Sequence, residues 1–292
     1  MNLAGNLQLV LLAAIWGGSF LFMRITVPAV GASTTVFVRL LLGALFLSAV
    51  CLVQGQRLAL RSHWRSYVIL GVLNTGLPFL LFGIAARSLP AGLLSILNAT
   101  TTLWGAVIGA FWLRTPLNGK TVLGLLLGVS GVALLVGLDR AAARPGAGLA
   151  IACGLLAAFC YGVAAVYTRQ ASPVAPMANA QGSLWVATLM VLPALLWEPS
   201  KVTWSAPVAG ALLGLGVVCS GLAYLIYFRM LSRYGAQQVL TVAFLIPLFA
   251  VLWGVLFLAE PIGAGTLLGA PAVLAGTALV SRGQRSRAAM AR

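Results

Sequence analysis

Ten long apolar runs divide this chain, and each run is about as long as a lipid bilayer is thick. A spanning α-helix needs about 20 consecutive apolar residues. Because lipid offers no hydrogen-bond partners, the backbone of such runs must satisfy itself within helices. The sequence therefore predicts an all-α integral membrane protein with ten transmembrane helices. The runs lie at 7–27, 32–53, 67–86, 91–112, 119–138, 148–169, 178–197, 208–230, 236–258 and 263–280.

The charge content argues against a soluble fold. Of the 292 residues, 61% are hydrophobic and only 7% are charged, whereas soluble domains carry about 25% charged residues. Basic residues outnumber acidic residues by 18 to 3, but they stand singly between the apolar runs. This scattering is typical of the cytoplasmic loops of membrane proteins and argues against nucleic-acid binding.

The positions of Lys and Arg predict the orientation in the membrane. If the N-terminus is cytoplasmic, 12 of the 18 basic residues fall on the cytoplasmic side, five fall on the outer side, and Arg39 lies inside the second helix. Positive residues accumulate in cytoplasmic segments. We therefore expect both termini to lie in the cytoplasm.

A shift of 145 residues aligns the first half of the chain with the second. Each half contains five predicted helices, and because five is odd, the second half enters the membrane from the opposite side. Inverted repeats of this kind are common in secondary transporters. We expect five-helix repeats at 1–140 and 147–282, followed by a basic cytoplasmic tail at 283–292. The matched landmarks include Arg24 with Arg169, Pro116 with Pro261, Gly124 with Gly269, and Gly131 with Gly276.

Two of the repeat-related glycines predict a packing interface. Gly124/Gly128 and Gly265/Gly269 have the GxxxG spacing that lets helix backbones approach closely. We expect the fifth and tenth helices to form a shared scaffold, either within one chain or between two chains.

A set of short motifs carries a family resemblance. The motifs are Trp16-Gly17-Gly18-Ser19-Phe20, Arg39, the segment from Ala85 to Ala91, the glycines Gly124, Gly128 and Gly131, and Leu258-Ala259-Glu260-Pro261. With these motifs, over residues 5–282, the sequence resembles the drug/metabolite transporter superfamily and its ten-helix EamA-type exporters. It most resembles the branch that exports aromatic and other neutral amino acids.

The resemblance implies a function and also shows a departure. It implies a secondary transporter that exports amino acids or similar small metabolites across the bacterial inner membrane by alternating access. The family often has an acidic residue at the end of the fourth helix, where this chain has Leu113-Arg114-Thr115-Pro116. The acid occurs only in the second half, as Glu260, so a role for a symmetric pair of acids is in doubt.

Polar and aromatic residues at membrane depth are the candidates for the transport pathway, because polar groups in lipid are costly unless they face protein or water. Arg39 is a candidate contact for a substrate carboxylate, although a structural role, in which it caps backbone carbonyls or extends toward the interface, is favoured. The polar candidates also pack between helices in many membrane proteins. The predicted substrate-binding residues are Trp16, Phe20, Asn74, Phe79, Asn98, Thr101, Tyr161, Tyr224, Tyr227, Gln237 and Phe244.

Several kinds of chemistry have no support in the sequence. The three acids are Asp139, Glu198 and Glu260, all at loops or helix ends, and the single histidine, His63, lies in a loop. The sequence has no phosphate-binding GxxxxGK[ST] motif and no cluster with metal-ligand spacing. We therefore expect no cofactor, no metal, no enzymatic activity and no proton relay, and predict facilitated movement of substrate.

Other functions stay open at this point. A lipid or lipid-carrier flippase and a multidrug exporter are alternatives on the same fold, and a scaffold protein is weakly disfavoured. The expected partners are a small-molecule substrate and the bilayer, with a monomer favoured over an oligomer.

Overall fold

The computed structural model describes residues 2–55, 60–114, 117–139, 145–171, 174–197 and 202–290, with backbone alone at 60–61, 197, 236–237 and 284–290. The described residues form helices and turns, without a strand. Nine helices in this part of the chain are long and apolar enough to cross a membrane, and one apolar helix is shorter. The predicted ten-helix, all-α membrane protein is thereby confirmed. The helices are α1 Leu3–Val30, α2 Ala32–Val53, α3 Ser62–Ala85, α4 Ala91–Trp112, α5 Gly119–Leu138, α6 Ala147–Gln170, α7 Pro176–Leu196, α8 Ala206–Tyr234, α9 Val242–Leu258 and α10 Ala264–Met290.

The ninth predicted helix is shorter than the apolar run that suggested it. The run at 236–258 begins with a separate turn of helix, Ala236–Val239, and α9 starts only at Val242. Between them the Thr241 hydroxyl donates to the carbonyl of Gln238 at 2.5 Å. Threonine side chains compete in this way with the helical hydrogen-bond ladder. The fourth helix is interrupted similarly at Thr100, whose hydroxyl donates to the carbonyl of Leu97.

Both α3 and α8 contain a widened π-helical segment, Val72–Gly76 in α3 and Gly214–Leu222 in α8. The 145-residue shift moves 72–76 onto 217–221, so the two segments occupy matched places. In α3 the cause is Pro78, which has no N–H for the carbonyl of Asn74. The α8 segment has no proline. Its glycines Gly216 and Gly221 instead lie tightly against Leu42 and Phe46 of α2.

The scaffold predicted from the glycine spacing lies within one chain. A Cβ placed on Gly131 of α5 would lie 2.6 Å from the backbone nitrogen of Val273 in α10, and one on Gly269 would lie 2.6 Å from the carbonyl oxygen of Gly131. The two backbones therefore touch directly. On the outer surface, apolar side chains such as Phe111 and Leu196 are more than four-fifths exposed, as expected of a face in contact with lipid.

Candidate functional site

A cavity of about 760 Å³ lies between the two halves and is lined by α1, α2, α3, α4, α6, α8, α9 and the end of α10. All predicted pathway residues whose side chains are described line this cavity. Gln237 is not among them, because its side chain is not described. The residues that the structure brings together are Trp16, Phe20, Asn74, Phe79, Asn98, Thr101, Tyr161, Tyr224, Tyr227, Phe244 and Arg39.

The lining follows the internal repeat. Many residues that line the cavity differ from another lining residue by 145 positions, so matched positions of the two halves line the same cavity. The pairs are Trp16/Tyr161, Phe20/Ala165, Asn74/Cys219, Phe79/Tyr224, Phe82/Tyr227, Asn98/Ala243, Ala99/Phe244 and Thr101/Ile246.

Sequence reasoning missed some members of these pairs. Ala165 and Cys219 are small or weakly polar and carry no signal of their own, but the repeat shift applied to Phe20 and Asn74 identifies both. Met23 and Arg169 also line the cavity. The sequence identifies Arg169 as the repeat mate of Arg24 but gives no signal that it lines a cavity.

The π-helical segment of α8 contributes backbone groups to the cavity wall. The indole nitrogen of Trp16 donates to the carbonyl of Cys219 at 3.2 Å, and the Cys219 thiol donates to the carbonyl of Ile15. Widened helices change which carbonyls are paired within the helix, and such segments are frequent at functional sites. These two bonds fix Trp16 against α8, with its ring 5.5 Å from that of Tyr227.

The two ends of the cavity differ. One end, here called the mouth, reaches the helix ends at Arg169, Leu240 and Ser281, and both Arg169 and Leu240 are exposed there. At the opposite end, aromatic rings close the space. Phe20 meets Phe82 edge to face at 5.8 Å between ring centroids, and Phe82 stacks on Tyr161 at 6.4 Å.

An ion pair lies beyond these rings and completes what we call the sealed end, defined by Arg24, Ala86, Ala91 and Glu260. The Arg24 Nε donates to Glu260 Oε1 at 3.0 Å, and its Nη1 donates to the carbonyl of Ala86 at 2.8 Å. Glu260 Oε2 accepts from the backbone N–H of Ala91 at 2.9 Å, at the first turn of α4. The sealed end thus ties α1 to the α3–α4 loop and to the α9–α10 loop.

Arg39 is buried in the wall of the cavity without an acidic partner among the described residues. Its side chain is 6% exposed. Its Nε donates to the Ser220 hydroxyl at 3.0 Å, its Nη1 lies 3.8 Å from the Met23 sulfur, and its guanidinium carbon lies 3.8 Å from the ring centre of Phe79. All three neighbours are uncharged.

Other polar residues at membrane depth pack helices together instead of lining the cavity. The Gln181 amide and the Trp185 indole both donate to the Ser48 hydroxyl at 3.0 Å and join α7 to α2. Among the described residues, no group of three or more His, Cys, Asp or Glu side chains is arranged to hold a metal ion.

Comparison with known proteins identifies the family. The profile of the EamA-like transporter family matches residues 3–137 and, a second time, residues 148–282. This chain belongs to the EamA-like transporter family. The earlier resemblance is confirmed at that level, and the double match follows the two halves of this transporter.

Individual relatives agree with the family assignment. The uncharacterized transporter YvbV of Bacillus subtilis (strain 168) is 27% identical over 288 residues, covering 98% of this chain and 94% of that protein. Protein PecM of Dickeya dadantii is 29% identical over 70% of this chain and 69% of its own length. A probable amino-acid metabolite efflux pump of Salmonella typhimurium is 25% identical over 67% of this chain and 69% of that protein.

A solved crystal structure shares the fold. It matches with a TM-score of 0.66 at 19% identity and covers 93% of this chain and 94% of that chain. At this identity the likeness supports the architecture alone. Together with the family match, it makes this EamA protein a multi-pass membrane transporter.

Proposed function

We propose that this transporter exports aromatic or other neutral amino acids, or similar small metabolites, across the inner membrane by alternating access. The observation that carries the proposal is a cavity lined by matched positions of both halves, which is open at the mouth and closed at the sealed end. A volume of about 760 Å³ falls within the usual range of small-molecule pockets, roughly 300–1,000 Å³. Its aromatic lining suits a substrate with an apolar body.

The different contacts of two repeat-related arginines support alternating access. Arg24 is held by Glu260 and the Ala86 carbonyl at the sealed end, whereas its repeat mate Arg169 is exposed at the mouth. Two halves of the same fold thus adopt different arrangements at the two ends. The position matched to Glu260 is Thr115, so closure of the mouth would use contacts other than a second ion pair. Exchange of the open and closed ends is the expected motion of an inverted-repeat transporter.

The direction of transport is inferred from charge. The Lys and Arg distribution puts the mouth on the cytoplasmic side, so the described state accepts substrate from the cytoplasm. Export also agrees with the name of the Salmonella relative, a probable amino-acid metabolite efflux pump. We propose that both termini of this chain lie in the cytoplasm.

We further propose that movement is facilitative, without a proton relay in the protein. Of the three acids, Glu260 is bound to Arg24, and Asp139 accepts a hydrogen bond from Thr266 at the outer end of the α5–α10 scaffold. Glu198 lies outside the described residues. A relay through the membrane needs titratable groups at depth, and neither of the two described acids lines the cavity.

The test is counterflow in proteoliposomes that contain the purified protein and a panel of L-phenylalanine, L-tryptophan, L-leucine and L-lysine. We expect exchange of the neutral amino acids, which Tyr161→Ala lowers at least tenfold by removing a ring from the closed end of the cavity. Phe257→Ala is the matched control, because Phe257 is two-thirds exposed on the outer surface of α9.

Two outcomes would contradict the proposal. Failure to exchange any amino acid would redirect attention to lipids or drugs as substrates. Uphill accumulation of a neutral amino acid driven by a pH gradient alone would contradict the facilitative mechanism.

A further inference from the structure

Arg39 has hydrogen-bonding capacity that the protein does not use. A guanidinium carries five N–H donors, and in the described part of the chain Arg39 uses one toward Ser220 and one, weakly, toward Met23. Neither partner is an anion. A buried cation without a counter-charge is costly in protein and more so in a membrane, so the free donors require an explanation.

The chain does not supply the missing anion among its described residues. Glu260 is engaged by Arg24 and the Ala91 N–H, and Asp139 lies at the end of α5 beside Thr266. Arg39 therefore faces the cavity as a cation whose natural counter-charge must come from a bound molecule.

The surroundings of Arg39 favour a carboxylate over other anions. The guanidinium carbon lies 3.8 Å from the ring centre of Phe79, a contact that restricts the movement of the side chain. The remaining N–H groups of the planar guanidinium are able to make a bidentate contact with a planar anion. The phenol side chains of Tyr161 and Tyr224 line the same cavity and have no hydrogen-bond partner within the described residues. Phenolic O–H groups are suitable additional donors to a carboxylate oxygen.

The internal repeat provides no second arginine at the position in the second half that matches Arg39. The 145-residue shift places Leu184 opposite Arg39, and Leu184 is 1% exposed in an apolar cluster of α2 and α7. Away from the mouth, where Arg169 is exposed, Arg39 is therefore the one basic residue among the described lining residues, and the others there are aromatic, apolar or neutral polar. A substrate would bind with its carboxylate at Arg39 and its apolar body among the rings.

We infer that Arg39 determines the specificity of the cavity by holding the carboxylate of the substrate. Small carboxylates with an apolar body are then substrates, and amines that lack a carboxylate are excluded by the Arg39 charge. This inference rests on the proposed function in that it names the substrate class of the same cavity. An ammonium group on the substrate is tolerated beside the aromatic rings but is not required.

The test compares ligands that differ in one group. Purified protein is titrated with 3-phenylpropanoate, 3-phenylpropan-1-ol and 2-phenylethylamine while tryptophan fluorescence is followed, since Trp16 lines the cavity. We expect the acid to bind roughly 10- to 100-fold more tightly than the alcohol, the ratio expected of a charge-assisted hydrogen bond. The amine is expected to bind most weakly.

The variants assign the effect to Arg39. Arg39→Gln is expected to remove the preference for the acid while leaving alcohol binding within about twofold, and Arg39→Lys, which keeps the charge without the planar fork, is expected to fall between. Arg233→Gln is the matched control, because Arg233 also lies over an aromatic ring, Tyr234, but is exposed outside the cavity. If Arg39→Gln does not give folded protein, Ser220→Ala, which removes the Nε acceptor, is expected to weaken acid binding alone.

The outcomes separate this inference from the proposed function. Wild-type protein that binds the alcohol or the amine as tightly as the acid, or that binds no acid at millimolar concentration, overturns the inference. The same holds if Arg39→Gln keeps the wild-type preference. Arg39-dependent acid binding without amino-acid counterflow would contradict the proposed export and support the carboxylate site. Counterflow that survives Arg39→Gln unchanged would leave export intact and overturn the carboxylate site.

Discussion

Single residues hold the sealed end closed, and Glu260 is the central one. Its two carboxylate oxygens bind different segments, Arg24 of α1 and the first N–H of α4 at Ala91. The side chains of Arg24 and Glu260 are only 24% and 12% exposed, so water screens the pair weakly. A hydrogen bond that involves a charged group contributes roughly 1.5–3 kcal/mol, enough to bias an equilibrium between two conformations by tenfold or more.

Loss of the Glu260 charge is therefore expected to open the sealed end more often. Glu260→Gln keeps an acceptor for Ala91 but removes the ion pair with Arg24. We expect outer-side labelling of a Ser19→Cys reporter, in a Cys219→Ala background, to increase severalfold. The measurement uses a membrane-impermeant maleimide on spheroplasts.

Asp139→Asn is the matched control for this experiment, because Asp139 bonds to Thr266 at the end of the α5–α10 scaffold rather than at the sealed end. We expect Arg24→Gln to reproduce the effect of Glu260→Gln and the double variant to add little. If both single variants are labelled like the parent, the ion pair does not hold the sealed end.

At the scale of helices, the scaffold of α5 and α10 is held by direct contact between the two backbones. Glycines on both helices allow the two backbones to touch, and Gly131 and Gly269 lie directly opposite each other. Without a hydrophobic driving force between helices in lipid, such close packing supplies much of the association energy.

A methyl group added at this contact should destabilise the protein. A Cβ at Gly131 would lie 2.6 Å from the Val273 backbone nitrogen, whereas one at Gly137, six residues further along α5, would meet nothing within 4 Å. We expect Gly131→Ala to cost about 1–3 kcal/mol through overpacking and Gly137→Ala to be neutral. Thermal unfolding in detergent measures both, and equal melting temperatures would contradict the packing argument.

At the scale of the whole molecule, the two halves share a sequence repeat but make different contacts at the two ends of the cavity. Matched positions line one cavity, yet Arg24 and Arg169 have different contacts at its two ends. The asymmetry of residue type is greatest at Arg39, whose mate is Leu184. The two halves therefore share a framework of matched lining positions and differ in residue type at Arg39 and Leu184.

The orientation predicts a pattern of reporter fusions. A reporter that is active only in the cytoplasm should be active when fused after Gln170 or at the C-terminus and inactive when fused after Asp139 or Pro261. The expectation follows from the positive charge of the cytoplasmic segments. The reverse pattern would place the mouth on the outer side and would turn the proposed exporter into an importer.

The sequence by itself determined the ten helices, the repeat and the family, because these depend on the long apolar runs and on spacing along the chain. It also nominated Trp16 and Tyr161, since bulky aromatic and polar residues at membrane depth are conspicuous. It could not show that Gln181 bonds to Ser48 between helices or that Asn98 lines the cavity. Only tertiary structure decided which end is closed, that Arg39 has no acidic neighbour among the described residues, and that Glu260 meets Arg24. These facts depend on contacts between side chains that are far apart in sequence, up to 236 positions for Arg24 and Glu260, and periodicity along one helix carries no information about them.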